Sequence, residues 1–239
     1  SSDLFSKNLY QERRQRLAQI IRQRSGSGIL LKETAPEIPR NRDSEYPYRH
    51  DSDFYYLCGF SEPGAFLVMD IQQDQVCTTL FCRPKDIDRE IWDGIRLGPE
   101  LAPEALGVDL AYSNSCIDEM LPTLLGQHSH LYAPITRRNS HQLHIDRWIE
   151  QIKSQSRSGL LAPQHLIDVD YLIHEMRLFK DAHELDIMRR AAAISARAHI
   201  RAMQICKPGM REYQLEAELL HEFRNSGAQS VAYNSIVAG

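Results

Sequence analysis

Apolar residues recur along this chain with two different periods, and the switches between them divide it into helices and strands. From residue 6 to 24, Tyr10, Leu17, Ile20 and Ile21 fall on one helical stripe, and Ser25-Gly26-Ser27-Gly28 then supplies a stop before the short apolar run Ile29-Leu30-Leu31. This predicts a helix followed by a strand. Residues 65–71 and 76–82 are apolar and rich in β-branched side chains on either side of Gln72-Gln73-Asp74-Gln75, which predicts an antiparallel hairpin. Strand patterns at Gly107–Tyr112 and His130–Ala133 interleave with helical ones near 86–92, 100–106, 115–125 and 140–154. The resulting expectation is an α/β domain with a mixed sheet and flanking helices.

A second pattern begins after His174-Glu175-Met176-Arg177-Leu178-Phe179-Lys180. Over 183–206, Ile187, Ala191, Ile194, Ala198, Ala202 and Ile205 form one stripe, with Leu185, Met188, Ala192 and Met203 beside it. So broad an apolar face predicts a helix laid under a sheet. Lys207-Pro208-Gly209 stops it, because proline lacks the N–H the next turn needs and glycine accepts a left-handed turn. A second helix is expected over 211–225, and Ser230–Val237 alternates like a strand. The boundary therefore falls between Asp170 and Lys180: residues 1–172 are read as one domain, and 173–239 as the beginning of another, too short to enclose a core.

Charge and composition narrow the partners. With 28 basic against 32 acidic residues the net charge is −4, which offers no general attraction to nucleic acid or anionic lipid. Arg13, Arg14, Arg16, Arg22 and Arg24 share the first helix and read as its solvated face. The longest apolar run, Ala65–Met69, is far short of the roughly 20 residues of a membrane span. The five cysteines are an odd number without a C-x-x-C pair, and the polar N-terminus shows no signal-peptide core, so a cytoplasmic location is expected.

Several chemical motifs can be weighed by spacing. His174-Glu175 opens an H-E-x-x-H pattern, but Leu178 stands where the second histidine is required, which excludes a zincin helix. His128-Ser129-His130 and His141-Gln142-Leu143-His144 lack a third ligand nearby and read as surface histidines. Asp43-Ser44-Glu45 and Asp51-Ser52-Asp53 lie among Tyr46, Tyr48, Phe54, Tyr55 and Tyr56; without the glycine and glutamate of a calcium loop, turn and cap duty is their reading. Gly26-Ser27-Gly28 is too short for a nucleotide loop, and no G-x-S-x-G elbow occurs. Trp92, within Glu90-Ile91-Trp92-Asp93-Gly94-Ile95-Arg96-Leu97-Gly98, has two open readings, a core side chain or an exposed contact anchor.

The most specific signals are whole blocks: Ala35-Pro36-Glu37, Asp43 through Arg49, Asp53-Phe54-Tyr55-Tyr56 with Gly59-Phe60, Glu62-Pro63, Glu90-Ile91-Trp92 with Arg96-Leu97-Gly98, His174 through Lys180, Pro208-Gly209-Met210 and Tyr233 through Val237. On these the chain resembles the amino-terminal half of the aminopeptidase P (Xaa-Pro aminopeptidase) family. The resemblance implies a creatinase-like N-terminal domain, residues 1–172, followed by an incomplete pita-bread metallopeptidase domain, residues 173–239. It implies hydrolysis before proline with two metal ions, usually manganese, whose two aspartate, one histidine and two glutamate ligands all lie beyond Gly239. No metal ligand or cofactor is then expected in this chain, which by itself should be inactive. The tryptophan matching Trp92 reaches in such enzymes into a neighbouring subunit's active site, the arginine matching Arg157 restricts the cleft, and Asp43 is a candidate at the cleft mouth. The implied partners are peptides with proline in second position and further copies in a homotetramer or homodimer. Prolidase-type dipeptidases and non-catalytic creatinase-like protein-binding modules share the architecture.

Overall fold

The computed structural model of the chain describes residues 2–135, 141–155 and 159–237. A six-stranded sheet organises its first unit, which ends at Met176; the second begins at Arg177. The strands are β1 (Gly28–Glu33), β2 (Phe66–Ile71), β3 (Val76–Cys82), β4 (Leu110–Ser113), β5 (His130–Ala133) and β6 (His165–Asp168), in the order β4-β3-β2-β1-β5-β6. The first strand made thus lies inside the sheet. β2 runs antiparallel to β1 and β3, while β4 is parallel to β3 and β5 and β6 follow β1 in parallel. The hairpin closes with the Gln72 N–H donating to the Gln75 carbonyl at 2.9 Å.

Period-2 alternation sorts the central strands between two cores. Leu30 of β1 joins Leu67, Met69, Ile71 and Leu80 on one face, where α1 (Ser2–Ser25) adds Leu17, Ala18 and Ile21, and α2 (Ser52–Cys58) adds Phe54, Leu57 and Cys58. The amphipathic helix α7 (Val169–Leu178) contributes Val169, Leu172, Ile173 and Met176 to the same face. Ile29, Leu31, Val68 and Phe81 point the other way, toward Leu121 and Leu125 of α5 (Ile117–Leu125) and Ile145, Trp148 and Ile152 of α6 (His141–Ser154). Trp148 is fully buried and its indole Nε1 donates to Asp118 Oδ1 at 2.8 Å, so its one polar atom is satisfied. α3 (Ile87–Asp93) and α4 (Gly98–Leu106) follow β3.

Several expectations are corrected here. Arg13 and Arg14 do not line a solvated face; both are buried. Arg13 Nη1 donates to the Tyr56 carbonyl at 3.2 Å, Arg14 Nη1 to the Leu57 carbonyl at 2.9 Å, and Arg14 Nη2 to the Leu106 and Gly107 carbonyls. They satisfy the carbonyls left open at the C-terminal ends of α2 and α4. His128 is likewise no surface histidine: it is buried with Nε2 2.9 Å from Asp70 Oδ1 of β2. Strand β6 lacks a clear sequence signal: its two apolar residues, Leu166 and Ile167, are adjacent and do not alternate, and only Ile167 is half-buried. The backbone turns left-handed at Gly59, φ 69°, directly after α2, and a Cβ there would lie 2.4 Å from a carbon of the Tyr10 ring.

In the second unit, α8 (Ala182–Ile205) opens on a capping box, the Glu184 N–H donating to Asp181 Oδ1 at 2.8 Å and the Asp181 N–H to Glu184 Oε2 at 3.0 Å. It packs beside α9 (Glu212–Asn225), with Arg201 Nη2 2.6 Å from Glu218 Oε2 and Arg197 Nε 3.3 Å from Glu222 Oε1. Among its described residues this unit contains no strand, and Leu185, Ile187, Met188, Ile200 and Met203 are exposed. The strand expected over 230–237 is therefore corrected to irregular backbone. Its alternating pattern has no neighbouring strand to pair with, and an isolated strand leaves its N–H and C=O groups unsatisfied.

Candidate functional site

Because β2 alone opposes the others, β1, β3, β4, β5 and β6 all end at one rim of the sheet. Open α/β sheets carry their ligands outside this carboxyl rim. Two segments rise from it here, the loop after β1 and helix α3 with its following turn.

The loop is tied at its base and folded back on itself. The Thr34 N–H donates to the Ala65 carbonyl at 3.0 Å, and the Tyr48 hydroxyl lies 3.0 Å from Thr34 Oγ1 and donates to the Ala35 carbonyl at 3.0 Å. Burial pushes that phenol's pKa up. Further out, Pro39 bridges Glu45 in antiparallel fashion, the Tyr46 N–H donates to the Ile38 carbonyl at 2.9 Å and the Arg40 N–H to the Ser44 carbonyl at 2.8 Å. Asp43 stands exposed at the resulting tip. The next aspartate, Asp51, serves as the cap expected of it, its Oδ1 accepting from the Asp53 and Phe54 N–H groups at 3.0 and 2.8 Å to start α2.

Helix α3 is anchored at one end and bare above. Asp86 caps it by accepting from the Arg89 N–H at 3.2 Å, and it ends at Gly94, whose φ 89° and ψ 168° belong to a region that side chains all but exclude. Behind it the buried Arg96 donates to the Pro84 carbonyl at 3.3 Å and to Asp93 Oδ2 at 3.2 Å, while the Leu97 N–H donates to Glu62 Oε1 at 2.8 Å. No residue of α3 itself is buried. Ile87, Ile91, Trp92 and Ile95 are 81, 75, 87 and 85% exposed, so of the two readings of Trp92 the structure gives the exposed one.

Between the loop and the turn after α3 lies a pocket of about 480 Å³ lined by Glu37, Glu45, Glu62 and Asp93, with Arg83, Tyr46, Tyr48, Pro47 and Ile95. Of the four carboxylates, Glu62 faces Arg83 and Asp93 is held by Arg96, which leaves Glu37 and Glu45 with the aromatic walls to suit a cationic or amine-bearing group. Neither Asp43 nor Trp92 lines it, although both segments that carry them do; Arg157 lies outside the described residues. Sequence reasoning missed Arg83 and Ile87 altogether, and gave Glu62, Ile91 and Ile95 only as members of blocks, without a role at the site. Their partners are distant in sequence; the i, i+4 spacing of Ile87 and Ile91 carried a local signal, while Ile95 lies beyond the end of α3.

Among the described residues no group of three or more histidine, cysteine, aspartate or glutamate side chains converges as metal ligands. His130 stacks on His165 at 4.6 Å between ring centroids, and His144 Nδ1 lies 3.9 Å from Glu33 Oε2; among the described residues neither pair belongs to a group of three possible ligands. These residues do not fit a two-metal centre. Among the described residues no helix is long and apolar enough to cross a membrane.

Residues 10–132 match the family model described as aminopeptidase P, N-terminal domain, and residues 186–239 match metallopeptidase family M24. The chain is 44% identical over 235 residues to a Xaa-Pro aminopeptidase of Escherichia coli (strain K12), covering 98% of this chain and 52% of that protein. It is 37% identical to a Xaa-Pro aminopeptidase of Haemophilus influenzae, covering 98% and 51%, and 31% identical to Xaa-Pro aminopeptidase 3 of Homo sapiens, covering 85% and 40%. Among solved structures, E. coli aminopeptidase P in its low-pH form superposes with a TM-score of 0.91 at 42% identity, over 97% of this chain and 52% of that one. The same enzyme with the inhibitor Pro-Leu gives 0.91 at 41% identity, again over 97% and 52%. The chain thus spans about half the length of the E. coli and H. influenzae relatives it matches.

Proposed function

Because the chain belongs to the aminopeptidase P family, joining that family's N-terminal domain to the first part of a family M24 metallopeptidase domain, we propose that it is the amino-terminal portion of a manganese-dependent peptidase removing an N-terminal residue that precedes proline. The observation that carries this reading is the pairing of the two domains in one chain, at 44% identity to a Xaa-Pro aminopeptidase along nearly its whole length. In this proposal the manganese ligands follow residue 239, and residues 1–172 supply the wall and rim of the substrate cleft and the contacts between copies. The domain boundary falls between Asp170 and Lys180.

Trp92, Asp43 and Arg157 are the substrate-side candidates. The bare apolar face of Ile87, Ile91, Trp92 and Ile95 meets a second copy of the protein, in a homodimer or homotetramer, and carries Trp92 toward the neighbour's cleft. Exposed apolar clusters of this kind mark interaction surfaces, and a rigid indole on an anchored helix presents large contact area at small cost in side-chain entropy. The five free cysteines accord with a cytoplasmic location.

The test uses the full-length protein with a tripeptide carrying proline in second position and its alanine counterpart, each with manganese and after chelation. Metal-dependent release of the first residue from the proline peptide is expected, with little from the alanine peptide. Equal cleavage of both, or release that survives chelation, overturns the proposal. The 239-residue chain alone is expected to release nothing.

A further inference from the structure

Lys32 is a charged residue where the pattern asks for an apolar one. It sits two positions after Leu30 on β1, facing the same core, and its side chain is 4% exposed. Taking an ammonium out of water is unfavourable unless its partners compensate. Three carboxylates do: Asp170 Oδ1 accepts from Nζ at 2.7 Å, Asp51 Oδ1 lies at 3.6 Å and Asp53 Oδ2 at 3.9 Å. The last is shared, because His174 Nε2 is 2.9 Å from the same Asp53 Oδ2.

These groups come from three separate elements. Asp51 and Asp53 begin α2, Lys32 belongs to β1, and Asp170 and His174 sit one turn apart on one face of α7, the i, i+4 spacing that lets two side chains reach the same target. The rest of α7's grip on the first unit is the stripe Val169, Leu172, Ile173 and Met176. Aliphatic stripes are non-directional and tolerate a helix that rotates or slides. Buried ionic groups do not, and fixing register is their best-attested use; here Lys32 and Asp53 are the buried members, with Asp51, Asp170 and the largely exposed His174 reaching them from the rim.

We propose that the Lys32–Asp51–Asp53–Asp170–His174 cluster is a latch that fixes the register of α7, and with it the point at which the chain leaves the first unit, with Lys32 as the positioning residue. Lys32, held by β1, faces the capping carboxylate of α2 and Asp170 of α7 at once, so α7 finds a full set of partners in only one placement. This inference does not depend on the peptidase activity proposed above.

Amide hydrogen exchange resolved by peptide mass spectrometry on the full-length protein tests it. In Lys32→Met, exchange over residues 169–178 should rise at least tenfold while β2 and β3 stay within about threefold of wild type. Adding Asp170→Lys to that variant puts the cation back among Asp51 and Asp53 from the helix side, and should return α7 to within about threefold of wild type. A uniform rise across the sheet, no change over 169–178, or failure of the added lysine to restore protection would each overturn the latch. Should Lys32→Met not fold, Asp170→Ala removes the 2.7 Å contact alone; it should raise exchange over 169–178 by about three- to tenfold, and unchanged protection there sinks the proposal.

Discussion

Trp92→Ala separates an assembly anchor from a structural tryptophan more cleanly than any other substitution in this chain. With 87% of its surface in contact with solvent, Trp92 makes almost no contribution to the unit that carries it. Its removal should leave the unfolding free energy within about 0.5 kcal/mol of wild type. Trp148 supplies the contrast, since truncating that fully buried side chain should cost roughly 3–5 kcal/mol. In the proposed assembly the arithmetic reverses. A large aromatic side chain has roughly 150–250 Å² to bury, which at about 25 cal/mol per Å² sets an upper bound of roughly 4–6 kcal/mol. Ordering and desolvation take part of this, and interface anchors typically register roughly 2–4 kcal/mol. The association constant should then fall by roughly 30- to 700-fold. Sedimentation velocity over a dilution series reads that change, and urea denaturation of dissociated protein reads the stability. Unchanged assembly refutes the reasoning, and so does a loss of several kcal/mol in the dissociated subunit, which would mean the indole is packed after all.

Two further outcomes follow from the interior. Gly59→Ala meets both a left-handed backbone and the Tyr10 ring 2.4 Å from the new carbon, and should cost roughly 2–4 kcal/mol by chemical denaturation, whereas the open-space positive-φ Gly26→Ala should cost about 1 kcal/mol. Burial pushes the Cys58 and Cys82 thiols up to about 12, with the Glu62 and Glu100 carboxylates adding to the rise at Cys82. Below the thiol's unfolded pKa of about 8.5 both states hold the proton; above it only the folded state does. Stability should therefore fall as pH rises from about 9 toward 12, by about 1.4 kcal/mol per pH unit for each thiol, and a thiol reagent at pH 8 should modify the exposed Cys206 while sparing these two. A flat stability profile between pH 9 and 11 would contradict this.

What could be read from sequence was what neighbours in sequence decide. The hairpin at 65–71 and 76–82 is observed as β2 at Phe66–Ile71 and β3 at Val76–Cys82, because its turn and both its faces are local. The cap duty of Asp51 was legible for the same reason. The Arg13–Arg14 pair was misread because its carbonyl partners are supplied by Tyr56, Leu57, Leu106 and Gly107, and a helical wheel cannot show them. β6 escaped because a four-residue edge strand whose two apolar residues, Leu166 and Ile167, are adjacent has no alternation to detect. Near the candidate site, Trp92 and Asp43 were distinguishable as members of unusual blocks, though neither lines the pocket. Their surroundings were not, since the Glu62–Leu97 bond and the Arg83 lining of the pocket join segments more than twenty residues apart.

The central position of β1 carries a consequence for how the protein is made. Leu30 pairs with Met69 on one side and with Tyr132 on the other, and β5 in turn needs β6. A ribosome delivers the middle of this sheet first and its flank last, so β1 must wait with one edge open through the synthesis of some hundred residues. Loops of that length are slow to close, and unpaired apolar strands are prone to join the wrong partner. α7 seals the same face at the end of the unit, so the nascent chain gains its native protection only when Met176 has cleared the exit tunnel. Substitutions that weaken the late elements should therefore lower the yield of soluble protein more than their effect on the finished fold would suggest.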